Sequence, residues 1–129
     1  MELDLNKKDY IIITNNPKVK ESYSNIKFVD GTVKDVFDFT RKELHQGKKL
    51  LTHPLGASLK MLHSPYRSII ISSNYSALDI MSIELLEHSI LKYKQHTDGR
   101  TVDVKNEKDY SFIDLTLLNS ACEELLSFI

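Results

Sequence analysis

The stretch Tyr10-Ile11-Ile12-Ile13-Thr14 constrains the fold more than any other. It is apolar and β-branched, and polar residues do not alternate with it. A strand with one wet face would alternate. This one is therefore expected to be buried on both faces, like a central strand of a parallel sheet. Such a strand needs cover on both sides, which predicts a three-layer α/β domain. Asn15-Asn16-Pro17 then stops the strand with turn chemistry.

The following residues supply the remaining elements. Val19 and Tyr23, spaced i, i+4, suit two helical turns over 18–24. Ile26-Lys27-Phe28-Val29 reads as a second strand, ended by Asp30-Gly31. Thr32 and Asp35 form a T-x-x-D capping box. Behind it, Val33, Val36, Phe37, Thr40 and Leu44 trace one apolar stripe, and Gly47 stands where a left-handed residue closes a helix. Leu50-Leu51-Thr52 reads as a third strand, cut by His53-Pro54. Strand, helix and strand predict a right-handed βαβ unit with parallel strands. Arg67 to Ser72 is the fourth strand. The link before it lacks a helical pattern and is short for a parallel crossover, so this strand is placed at an edge, where an antiparallel direction is open to it. The expected sheet has four strands, order 2-1-3-4, mostly parallel.

Ser76 and Asp79 make a second capping box, with Tyr75 and Ile80 as a hydrophobic staple. Ile80, Ile83, Leu86, Ile90 and Tyr93 are the expected buried face, and Gly99 ends the helix. Residues 1–8 read as a polar leader and 100–108 as a linker to a last helix over 112–129, with Ser111 and Asp114 as its box. Leu115, Leu118, Cys122, Leu125 and Ile129 share one face of that helix. Phe112, Leu117, Ala121 and Phe128 are apolar elsewhere on its circumference. So wide a stripe predicts a homodimer or a heteromeric contact through this helix.

The chain has 129 residues, enough for one domain spanning 1–129. Its 17 basic and 18 acidic residues nearly cancel, which argues against a nucleic-acid footprint. Basic pairs such as Lys48-Lys49 read as solvated faces. Cys122 is the single cysteine, so neither an internal disulfide nor a cysteine-based zinc site is expected. No apolar run approaches the ~20 residues of a membrane span. The acidic start, Met1-Glu2-Leu3-Asp4, lacks the positive region of a signal peptide. A cytoplasmic location is expected. The five histidines (45, 53, 63, 88 and 96) form no H-x-x-x-H pair, and no metal site is expected. Neither G-x-G-x-x-G nor the Walker pattern occurs, so no nucleotide cofactor is expected.

Two strands end alike, each with Thr followed closely by Pro. If strands one and three are neighbours, Thr14, Asn15, Asn16, Thr52 and His53 converge at a topological switch point, where open α/β sheets bind ligands. Gly56, Ser58 and Lys60 from the next loop, together with Arg67, would complete a crevice for a small polar or anionic ligand. Plain turn chemistry is the competing reading of the same residues. In an enzyme, His53 would be the acid–base group, with Lys60 or Arg67 holding an anion. No nucleophile motif and no obvious orienting carboxylate accompanies it, so catalysis is not the leading expectation.

Three segments carry a resemblance: Tyr10 to Pro17 (YIIITNNP), His45 to Leu55 (HQGKKLLTHPL) and Ser64 to Ile69 (SPYRSI). Together they resemble the GrdX family, small proteins named for the glycine reductase gene cluster of amino-acid-fermenting anaerobic bacteria. LLTHPL and SPYRS carry most of the specificity, and the loop from Gly56 to His63 departs from the family's pattern. The resemblance implies a setting beside selenium-dependent reductases of glycine, sarcosine or betaine. Selenocysteine, C-x-x-C and a pyruvoyl precursor motif are absent from the sequence. The leading expectation is a non-catalytic accessory protein that binds a small ligand or a partner of that system. A small enzyme using His53 and a pure interaction protein acting through its last helix are the alternatives.

Overall fold

The computed structural model describes residues 10–55, 62–97 and 105–127. The expected leader, most of the expected linker, Gly56, Ser58, Lys60 and Phe128 lie outside the described residues. The element order is β1 (Tyr10–Thr14), α1 (Pro17–Ser22), β2 (Ile26–Phe28), α2 (Val33–His45), β3 (Ser68–Ser72), α3 (Ile80–Thr97) and α4 (Glu107–Ser127).

β1 is covered on both faces, as its lack of alternation requires. Ile13, with Ile69 and Ile71 of β3, packs against Val33, Phe37, Leu44, Leu86 and Ile90 of α2 and α3. Tyr10 and Ile12, with Ile70, face Val19, Leu118 and Cys122 of α1 and α4. The result is a three-layer α/β arrangement. Each fully buried isoleucine contributes about 1.5–3 kcal/mol from burial alone.

The sheet corrects the expected topology. It has three strands, not four, in the order β2-β1-β3. β1 runs parallel to β2, pairing Ile12 with Ile26, and antiparallel to β3, pairing Thr14 with Ser68 and Tyr10 with Ser72. The 2-1-3-4 order and its mostly parallel character are not what forms. Leu50 makes only an isolated antiparallel bridge, to Ile71 on the outer side of β3. That bridge is held by Leu51 N–H to Ile70 O and Ser72 N–H to Lys49 O, both 2.8 Å. The reason lies in burial. Ile69, Ile70 and Ile71 are each 0% exposed. A run of that kind takes the place beside β1, and the segment with two leucines is left outside it as a single bridge.

α2 follows its sequence signals closely. The Thr32–Asp35 capping box is formed on both sides, and Val33, Val36, Phe37, Thr40 and Leu44 are all buried. Gly47 has φ +106°, and a Cβ there would overlap the Ser76 carbonyl. α3 departs from expectation. Ser76 hydroxyl donates to Gly47 O, and Asp79 instead receives the Ser82 hydroxyl. Tyr75 and Ile80 are exposed, so no staple forms, and Ser82 and Ser89 take buried places beside Leu86 and Ile90. α4 begins at Glu107, ahead of the expected start at 112, which puts Ser111 and Asp114 inside the helix rather than at its cap. Lys48 is buried against Glu43, at 2.9 Å, rather than solvated. No helix among the described residues is long and apolar enough to cross a membrane.

Candidate functional site

β1 and β2 end at the same side of the sheet as the segment Leu50–Thr52, because β3 runs opposite to all three. Thr14 and Thr52 therefore share one end. They are not neighbours, since β3 lies between their strands, which puts them about 10 Å apart. Thr14 meets Ser68 instead, hydroxyl to hydroxyl at 2.7 Å. Thr52 turns its hydroxyl to the Ile70 N–H at 3.0 Å and so completes the edge pairing.

The two asparagines after β1 are consumed inside the protein. Asn15 donates to Pro65 O at 2.8 Å and Gly31 O at 3.0 Å, and accepts from Arg67 N–H at 2.9 Å. It thereby ties together the turns after β1, after β2 and before β3. Asn16 is the N-cap of α1, accepting from Lys18 N–H at 3.0 Å, with Pro17 at the first helical position. Its side chain also accepts the Ser111 hydroxyl at 2.7 Å. It donates to Ser111 O and to Asp114 Oδ2, both at 2.9 Å. Both donor and both acceptor positions of the amide are filled.

Asp114 closes this network. Its Oδ2 also accepts the Ser68 hydroxyl at 2.7 Å. Burial pushes its carboxyl above the ordinary value, opposed by the bonds from Asn16 and Ser68 and by the Arg67 charge. Burial likewise lowers the Arg67 guanidinium, and the Asp114 charge opposes that shift. Ser68, Ser111 and Asp114 were not among the sequence candidates. A signal existed: Ser111 and Asp114 continue the spacing of Leu115, Leu118 and Cys122, which is a core-facing register rather than a cap.

A second chain of contacts leads to the surface. Arg67 Nη1 donates to Leu55 O at 2.6 Å, and Leu55 N–H donates to His53 Nδ1 at 3.1 Å. One residue, through its N–H on one side and its C=O on the other, thus links a buried guanidinium to an exposed imidazole. With Nδ1 accepting, the neutral ring carries its proton on Nε2. Partial desolvation and the nearby Lys92 charge hold the His53 pKa below its ordinary value, which favours that neutral form. The Nδ1 partner is a peptide N–H, not the carboxylate of a catalytic pair. The exposed groups here, the His53 Nε2–H and the Lys92 ammonium, are donors and suit an anion.

Of the helix residues expected at an interface, Phe112 is 62% exposed, and Leu117 and Ala121 are half-buried. Ile113 is exposed beside Phe112. A larger apolar group lies at the other end of the sheet, where Tyr75, Leu78, Ile80 and Met81 are all more than half exposed. Among the described residues, no group of three or more metal-binding side chains converges.

No curated protein and no solved structure matches the chain. The family model described as GrdX-like protein matches residues 11–123, which takes in all three layers and both asparagines of the sheet end, and the chain belongs to that family.

Proposed function

We propose that the chain is a non-catalytic accessory protein of a bacterial glycine, sarcosine or betaine reductase system, and that it binds a small anionic ligand at the sheet end beside His53. Family membership supports the setting. The observation that carries the ligand reading is the link from Arg67 through the Leu55 backbone to His53. It fixes the imidazole as a hydrogen-bond donor next to Lys92 and favours binding over the acid–base alternative. A cytoplasmic location in an anaerobe is part of the same setting. The test is thermal unfolding of the full chain with glycine, sarcosine, betaine and acetyl phosphate. A ligand at a hundred times its Kd adds about 2.7 kcal/mol of stability. Acetyl phosphate is expected to raise Tm, and His53→Gln with Lys92→Gln to remove the rise. Unchanged Tm with all four compounds would refute the ligand reading.

A partner role through α4 is the second reading, favoured by the exposure of Phe112 and Ile113. In its simplest form the chain is a homodimer joined along Phe112, Leu117, Ala121 and Phe128.

A further inference from the structure

On the opposite flank of α3 from Lys92, a groove of about 270 Å³ runs between α2 and α3. Its floor is apolar: Phe37, Ile90 and Tyr93, with the two rings edge to face at 5.3 Å. Its rim is charged, with Lys34 and Arg41 from α2 and Lys94 from α3. Asp38 on the same rim is engaged by Lys34 at 3.8 Å and Arg41 at 3.5 Å. Glu87 takes Arg41 in a two-pronged pair, at 2.7 and 2.8 Å. Three cations against these two carboxylates leave an excess of one positive charge over an apolar floor.

We propose that this groove binds a small monoanion with an apolar body, a short-chain or aromatic carboxylate. The size decides against larger ligands, since the volume sits at the lower limit of small-molecule pockets, about 300–1,000 Å³. The net charge decides against a cation. The apolar floor decides against a fully hydrated ion, because it offers little to replace the ion's water. Lys94 supplies the electrostatic contact, because Arg41 is held by Glu87 and Asp38. Tyr93 contributes a phenol that burial keeps protonated. The groove shares no lining residue with the His53 surface and does not depend on the reading of His53.

Phenylacetate and the uncharged phenylacetamide are the probes, titrated into the isotope-labelled full chain and followed by NMR. Phenylacetate is expected to cause saturable shifts at Phe37, Ile90 and Tyr93, and phenylacetamide to bind about fivefold more weakly, as loss of one exposed charge contact implies. Lys94→Gln is expected to weaken phenylacetate by a similar factor and leave phenylacetamide unchanged. The proposal is overturned by equal binding of the two probes, or by no saturable shift up to roughly 20 mM, beyond the weakest useful affinities. It is also overturned by shifts confined to His53 and Leu55. That last outcome would leave the sheet-end reading standing.

Discussion

Asn16 and Asp114, 98 residues apart in the chain, are joined by a hydrogen bond of 2.9 Å from the Asn16 amide to the Asp114 carboxylate. This contact locks α4 onto the end of β1. Neither side chain has solvent to fall back on, because Asn16 is 0% and Asp114 6% exposed. Asn16→Ala is therefore expected to behave like a core mutation and cost about 2–4 kcal/mol, since it strands several buried polar groups at once. Asn16→Asp should cost more, by setting a second carboxylate beside Asp114. Urea unfolding of the two variants measures both.

The same network predicts an unusual pH trend. The native Asp114 carboxyl has a raised pKa, so the folded state holds that proton more tightly than the unfolded chain. Its contribution is largest below the ordinary aspartate value, about 3.9, and is lost as pH rises through the native value. Asp35 and Glu87, whose native values are lowered, act in the opposite sense and lose stability as pH falls. The stability of the wild type relative to Asp114→Asn should therefore decline as pH is raised from 4 to 8. Unfolding midpoints of the pair across that range test the sign.

Glu43 and Lys48 form a pair in which both side chains are largely buried. Removing one partner leaves the other charge uncompensated, a loss of about 3–5 kcal/mol in such sites. Glu43→Ala is expected near the lower end, since the Lys48 ammonium also lies 4.7 Å from the Tyr75 ring centroid. A denaturant titration reads the loss directly. An effect below 1 kcal/mol would show that water reaches Lys48.

Gly47→Ala should destabilise by about 2 kcal/mol or more, because the residue sits at positive φ and its new methyl group meets the Ser76 carbonyl. Gly31→Ala is a useful contrast. Its φ is not in the left-handed region, and the obstacle is the Asp35 side chain, whose displacement costs only the capping box. A clearly smaller drop in Tm is expected there.

The dimer reading predicts a mass that rises with concentration in light scattering over a hundredfold range. Phe112→Glu should abolish the rise without lowering Tm, because Phe112 is exposed. A constant monomer mass would end the homodimer reading and leave the helix to a different partner.

Much of the fold was legible because local rules and tertiary packing agree in those places. The α2 cap, its stripe and Gly47 could be read residue by residue, and so could the double burial of β1. The order of the sheet could not. Ile69, Ile70 and Ile71 obey the same non-alternating pattern as Ile11, Ile12 and Ile13, which favours a place beside β1 with cover on both faces. The short link before them instead pointed to the edge, and loop length says little about which neighbour a strand finds. At the sheet end, sequence position drew attention to Asn15, Asn16 and His53 but not to their partners. Asp114 is remote in the chain, and its S-x-x-D spacing also fits a helix cap. Only the true start of α4, at Glu107, separates the two meanings.

The placement of β3 carries a consequence for synthesis on the ribosome. When residues up to 55 have emerged, β1 has only the three-residue β2 beside it, and Leu50 has nothing to bridge. Both gaps close at one stroke when 68–72 slides between them, antiparallel to its neighbours. Even then Tyr10, Ile12 and Ile70 have only Val19 of α1 over them until α4 brings Leu118 and Cys122. One face of the sheet is thus only partly covered until α4 docks. The Asn16–Asp114 bond is the latch that closes when that last cover arrives.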